Sequence, residues 1–212
     1  MTKIHVAVMP DYDALKKPLL TKKDEEFQML IEIAEENIHQ KKEKAAQKKC
    51  GMPFEIVIRE HLLRRGFNVT FNPNVTIEGS EIKNSLFFLK STANANQKKY
   101  LPSEVNLIIE IKNNAAADSA KRIKENFDSL KKLSQDLRFA VVVLSEKTGY
   151  QHEITDEKLG DQTYKSFTLV SRRIYPKAGG LYSPKAIMDM LKNKDLKRTG
   201  DWERFIAYLK AL

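Results

Sequence analysis

The sequence predicts an α/β protein built on a central mixed sheet, with a helical extension before it and a helical tail after it. Three observations predict this class. From residue 51 onward the chain reads helix, three strands, helix, strand. Two of those strands, Val105-Asn-Leu-Ile-Ile-Glu-Ile-Lys112 and Phe139-Ala-Val-Val-Val-Leu144, are too apolar for a half-solvated sheet and fit its buried centre. The helical segments carry apolar residues at a period of 3.6 on one face. The division expected is 1–50 for an N-terminal strand and long helix, 51–178 for the α/β core, and 179–212 for a helical tail packed on that core.

Residues 3–9 form a candidate strand ended by Pro10. Thr21 and Asp24 have the form of a capping box, with Asp in place of Glu, and Phe27, Leu30, Ile31, Ala34 and Ile38 then share a helical face. Gln40 to Lys49 is nearly all Lys, Glu, Gln and Ala, which fits the solvated end of that helix better than a basic arm. Pro53 suits the first turn of a second helix, Phe54 to Arg65, whose face is Phe54, Val57, Ile58 and Leu62 and whose stop is Gly66. Phe67, Val69 and Phe71 alternate as a strand, continued after Pro73 by Val75 and Ile77, with a turn at Gly79-Ser80. Ser85 to Lys90 is the second strand, Ser91 to Lys99 a loop, and Val105 to Lys112 the third strand. A helix from about Ala116 to Ser134 presents Ala120, Ile123, Phe127, Leu130 and Leu133. Phe139 to Leu144 is a buried strand, Thr148 to Asp161 a loop, Phe167 to Ser171 one more strand, and Pro184 to Leu212 helical. Trp202, Phe205 and Tyr208 at helical spacing read as core.

Composition excludes several classes. Of 212 residues, 42% are hydrophobic and 31% charged, as in ordinary globular proteins. No apolar run approaches the roughly 20 residues that cross a bilayer, and Met1 to Pro10 lacks the pattern of a signal peptide, so a cytoplasmic location away from membranes is expected. Cys50 is the single cysteine and precludes an intrachain disulfide. His5, His39, His61 and His152 are scattered, without zinc-ligand spacing. The formal charge of +9 favours a polyanionic partner, because Lys and Arg that neutralise phosphates release counterions.

Chemistry concentrates in Ile108-Ile-Glu-Ile-Lys112. Side chains two apart on a strand share a face, so Glu110 and Lys112 point together, away from Ile109 and Ile111. An acid and an amine ending an apolar strand are costly to desolvate unless paired or in use. Phosphodiester hydrolysis uses both: carboxylate oxygens hold a hard cation, and an ammonium orients water and stabilises charge on the phosphate. Spacing alone is explained better by a salt bridge at a strand end, and Glu81-Ile-Lys83 and Asp195-Leu-Lys197 repeat the form. Only the Glu110 instance ends a buried strand with an antiparallel partner before it and a helix after it.

In that context the sequence resembles the PD-(D/E)XK, or restriction-endonuclease-like, nuclease superfamily. Residues 53–144 follow its helix, three strands, helix, strand order, and Glu110-Ile-Lys-Asn-Asn114 after Val105-Asn-Leu-Ile-Ile109 looks like its third-strand signature. The resemblance covers a little under half the chain. It implies that Glu110 binds Mg²⁺, for which Mn²⁺ can substitute, and that Lys112 assists the attacking water. It also implies a helix glutamate, matched by Glu55 in Pro53-Phe-Glu-Ile-Val57, with Glu60 a second candidate.

One departure stands out. The superfamily places an Asp near the start of the second strand, where this chain reads Gly79-Ser-Glu-Ile-Lys-Asn-Ser-Leu-Phe-Phe88. Pairing of the second and third strands sets Asn84 or Ser85 about opposite Glu110. Glu81 then lies about 10 Å further along, and Glu104 about 20 Å from Glu110 along its own strand. The second metal ligand is therefore either Glu81, or Glu55 with a neutral Asn84 or Ser85 beside it; the third option is lost activity.

Candidate DNA contacts are Lys98, Lys99, Asn113 and Asn114, with Asn94, Asn96 and Gln97 in the Ser91–Tyr100 loop suited to adenine edges. The resemblance implies a Mg²⁺-dependent endonuclease on double-stranded DNA, of restriction or defence type and commonly a homodimer. The rivals are a non-catalytic DNA-binding or assembly protein that retains the fold, a nuclease acting on RNA or single strands, and an α/β protein in which Glu110 and Lys112 form only an ion pair.

Overall fold

A computed structural model of the chain describes residues 25–43, 52–71, 76–77, 80–81, 85–97, 99–114, 119–132, 134–145, 164–170, 185–186, 189–190, 193 and 199–212. The expected strand at residues 3–9, the Thr21–Asp24 cap, the residues after Glu43 up to Gly51, the 148–161 loop and Gly179-Gly180 lie outside them.

Helix α1 spans Glu25–Glu43 and helix α2 spans Met52–Arg64. Met29, Leu30, Ile33 and Ala34 recur at helical spacing on α1 and are all buried, facing Phe54, Val57, Ile58 and Leu62 of α2 within one apolar cluster. The α2 stop expected at Gly66 has a defined geometry. Gly66 takes φ +81°, its N–H donates to the Leu63 carbonyl at 2.9 Å, and the Phe67 N–H donates to the Leu62 carbonyl at 3.0 Å. Those two bonds satisfy carbonyls that the helix end would leave bare.

The strands, in chain order, are β1 (Val69–Phe71), β2 (Thr76–Ile77), β3 (Ser80–Glu81), β4 (Ser85–Leu89), β5 (Lys99–Tyr100), β6 (Val105–Asn114), β7 (Phe139–Ser145) and β8 (Tyr164–Val170). Helix α3 (Ser119–Lys131) joins β6 to β7, and α4 (Asp201–Lys210) closes the chain. The main sheet has the order β1-β4-β6-β7-β8. It is mixed: β1, β4 and β6 pair antiparallel, whereas β6, β7 and β8 pair parallel. Central position explains composition, since every residue from Phe139 to Leu144 is at most 1% exposed.

Alternation along the strands sorts the core into two layers. Leu86, Leu107, Ile109, Ile111, Ala140, Val142 and Phe167 face the cluster that holds α1, α2 and α4. Phe87, Ile108, Phe139, Val141, Val143 and Tyr164 face the cluster that holds Ile123 and Phe127 of α3. Phe127 stacks on Phe139 with centroids 4.5 Å apart, and both contact Tyr164.

Three expectations need correction. The segment after Pro73 does not extend the first strand: β2 pairs antiparallel with β3 and parallel with β5 in a separate three-stranded sheet. Proline lacks the N–H that a continuing ladder needs, which favours a break there. Pairing with β2 puts Ser80 in a strand rather than a turn and Lys99 in a strand rather than a loop. The tail is not one helix, because Gly200 at φ +82° precedes Asp201 and restarts the chain as α4. That restart serves the sheet edge. The Asp201 carboxylate accepts the Thr168 N–H at 2.8 Å, and the Thr199 hydroxyl donates to the Leu169 carbonyl at 3.1 Å, occupying edge groups of β8 that would otherwise be open to another strand. The expected aromatic core of the tail is present, with Trp202 and Phe205 fully buried and Tyr208 partly so.

Candidate active site

Glu110 and Lys112 lie on β6 on the α3 side of the sheet, two residues apart and in register with Val141 and Val143 of β7. The position follows from the alternation: Ile109 and Ile111 fill the opposite layer, so their polar neighbours must face the other way. Glu110 is 8% exposed, one of four polar or charged residues in the buried class among the described residues. Lys112 Nζ lies 2.5 Å from Glu110 Oε1, and the lysine side chain keeps 27% of its surface in solvent against 11% for the glutamate. A carboxylate set in an apolar layer is thus met by an ammonium whose tip reaches water. That arrangement lowers the desolvation cost of Glu110 while leaving one side of the pair accessible to a ligand.

The strand register supplies the surroundings. Ser85 of β4 is the pairing partner of Glu110. On the far side of β7, Ser166 of β8 is in register with Val141 and Thr168 with Val143. Two strand spacings put these hydroxyl residues about 10 Å across the sheet from Glu110 and Lys112. Sequence reading missed Ser166 because it set the start of β8 at Phe167; the alternation Tyr164, Ser166, Thr168 carried the signal.

The remaining candidates are dispersed. Glu55 is half-buried in the first turn of α2, which packs on the opposite face of the sheet. Glu60 pairs with Arg64 at 3.5 Å, and burial raises its carboxyl above the usual range. Glu81 stands in β3 opposite Thr76, and its side chain, those of Ser85, Asn113 and Asn114, and all of Asn84 and Lys98 lie outside the described residues. Asn114 ends β6 in register with Ser145. Glu104 accepts the Leu101 N–H at 2.7 Å and closes a short 3₁₀ turn, an occupied role far from Glu110.

A hard divalent cation takes oxygen donors. Glu110 offers such an oxygen, and the Ser85 position beside it is neutral. Among the described residues no group of three His, Cys, Asp or Glu side chains converges to hold a metal. The donor chemistry of Glu110 fits Mg²⁺, for which Glu81, Ser85 or water would complete the ligand set, whereas Glu55 is on a helix packed against the opposite face of the sheet.

The loop proposed to read bases is folded onto β1. Asn68 Nδ2 donates to the carbonyls of Lys90 and Ala93 at 2.9 and 2.8 Å, and Thr70 donates to the Ala95 carbonyl at 2.9 Å. Asn94 Oδ1 accepts the Asn96 N–H at 2.9 Å, so that side chain already closes a local turn. The loop leaves the end of β4 at Leu89, which pairs with Val105. Five residues of β6 therefore separate its root from Glu110, about 17 Å. Lys99 is exposed in β5.

No protein-family model and no curated protein matches the sequence. Two solved structures share its fold. NucC of P. aeruginosa ATCC27853 in its cAAA-bound form is 12% identical, aligns over 90% of this chain and 91% of its own, and gives a TM-score of 0.52. NucC of E. coli MS115-1, also cAAA-bound, is 13% identical over 90% of each chain, with a TM-score of 0.51. The likeness is one of fold alone. No helix among the described residues is long and apolar enough to cross a membrane.

Proposed function

We propose that the chain is a metal-dependent endonuclease that hydrolyses phosphodiester bonds in double-stranded DNA, with Glu110 and Lys112 at its centre. One observation carries the reading: a buried acid and a partly exposed amine sit 2.5 Å apart on the central strand of a sheet that shares its fold with NucC. Glu110 would hold Mg²⁺, with Glu81 as a further carboxylate; such an ion polarises a phosphate and acidifies bound water. Lys112 donates hydrogen bonds from its ammonium, orients the attacking water and offsets charge on the phosphate oxygens. Lys98, Lys99, Asn113 and Asn114 are assigned to the DNA backbone, in keeping with the net charge of +9. Cutting both strands of a duplex calls for two such centres, which a homodimer supplies. A restriction or defence role follows from the family resemblance.

A specific observation favours a second reading. Ser85, not an Asp, pairs with Glu110 at the point where the superfamily carries its second acid. A neutral residue there weakens a cation site, so the alternative is a non-catalytic DNA-binding or assembly protein that retains the fold. Incubation of the purified protein with mixed plasmid and genomic DNA plus Mg²⁺ or Mn²⁺ separates the two, with Lys112→Ala as control. A parallel arm adds cAAA, because both NucC structures are of cAAA-bound forms. The endonuclease reading expects cleavage by the wild type and its loss in the variant; discrete fragments indicate site specificity and a smear its absence. DNA left intact in every arm establishes the non-catalytic reading.

A further inference from the structure

Away from Glu110, the described residues hold a second buried polar group, and it joins three helices. His61 of α2 is 2% exposed. Its Nδ1 lies 3.0 Å from Glu25 Oε1 and its Nε2 lies 2.8 Å from Glu32 Oε2, both acids belonging to α1. Ionised carboxylates only accept hydrogen bonds, so a ring held by two of them must donate from both nitrogens, which makes it an imidazolium. We propose that His61 is a proton-dependent clasp that holds α1 on α2 and α4, closed while both ring nitrogens carry protons and loosened when one is lost.

The groups around the ring come from all three helices. On α1, Glu32 also accepts a bond from Gln28 at 3.0 Å, and Glu36 acts on Glu60 through charge. From α2, Arg65 Nε donates to Glu25 at 3.0 Å and its NH2 pairs closely with the other oxygen of that carboxylate, while Arg64 approaches Glu32 at 3.6 Å and Glu60 at 3.5 Å. On the α4 side, Glu203 pairs with Arg65 at 3.4 Å, and Trp202 meets the His61 ring edge-on at 6.4 Å and the Arg65 guanidinium at 6.0 Å. Loss of the ring proton leaves two guanidiniums against Glu25, Glu32, Glu60 and Glu203. It also turns one ring nitrogen into an acceptor facing a buried carboxylate, a contact with no bond and strong repulsion.

Burial alone would lower the His61 pKa, but the bonds and charges of Glu25 and Glu32 outweigh it and raise it above 6.5. A group raised on docking contributes stability that is complete below its undocked value and is lost as pH rises through the docked one. The clasp therefore loosens on the alkaline side, from about pH 6.5 upward, by about tenfold per pH unit until the docked ring has titrated.

Hydrogen exchange of α1 amides over residues 28–36, corrected for the intrinsic rate and followed from pH 6.5 to 9.5, tests this. The wild type is expected to open progressively with pH, and His61→Gln, which hydrogen-bonds without titrating, to show lower but pH-independent protection. Wild-type protection as flat as that of His61→Gln overturns the proposal. Should His61→Gln fail to fold, ring nitrogen-15 spectra of the wild type decide alone. Two protonated nitrogens at pH 7 and titration above pH 6.5 support the clasp, and a single protonated nitrogen or titration at or below 6.5 refutes it.

Discussion

Replacing Lys112 by methionine keeps the aliphatic stem and deletes the ammonium that lies 2.5 Å from Glu110 Oε1. Glu110 is then left in the α3-side layer with its side chain 11% exposed. Removing one partner of a buried ion pair costs 3–5 kcal/mol in general, about the penalty of an uncompensated buried charge. Exposure reduces it here: Lys112 is 27% exposed, so water reaches the vacated position. The expected loss is about 2 kcal/mol. Trp202 is the single tryptophan and is fully buried, so its fluorescence reports urea unfolding without a label. At a slope of about 2–3 kcal/mol/M the midpoint falls by a little under 1 M. Adding Glu110→Gln removes the stranded charge and should recover most of the loss, giving a coupling of about 1–2 kcal/mol in the double-mutant cycle. A loss below about 0.5 kcal/mol, or no coupling, would mean that the pair is solvent-screened and that the burial argument for the site is wrong.

Phe127→Ala removes the α3 ring that stacks on Phe139 and contacts Tyr164; a loss of about 3–5 kcal/mol in urea unfolding is expected, with Phe127→Leu much milder. Hydrogen bonds to His61 hold the carboxyls of Glu25 and Glu32 at about 2 despite burial. Their contribution is complete above the ordinary value of 4.5 and is lost as pH falls toward 2, so the urea midpoint should drop across that window, and less steeply in His61→Gln. Gly66→Ala places a side chain at φ +81°, where nothing obstructs it but the backbone conformation is unfavourable, and should cost about 1 kcal/mol by thermal unfolding.

Periodicity made the helices and the central strands legible. The apolar runs of β6 and β7 are set by burial on both faces, and Gly66 marked the α2 end because only a residue tolerant of positive φ suits it. Short elements left little trace: β2, β3 and β5 have two residues each, too few for an alternation to register. The Glu110–Lys112 side of the site was readable because strand alternation is local. Its neighbour across the sheet was readable to within one residue, because pairing of the second and third strands sets Asn84 or Ser85 opposite Glu110, and Ser85 is the partner. The placement of Ser166 and Thr168 was not, since it depends on the register of β7 with β8. The histidine cluster went unread for a related reason. His61 was weighed against zinc spacing within the sequence, whereas its partners Glu25 and Glu32 lie 36 and 29 residues away on another helix.

Mn²⁺ titration followed by electron paramagnetic resonance, on the wild type and on Glu110→Ala, bears most directly on the assignment of Glu110 as a metal ligand. Saturable binding by the wild type that weakens at least tenfold in the variant is the predicted result. Equal binding by both proteins, or none by either, would contradict it.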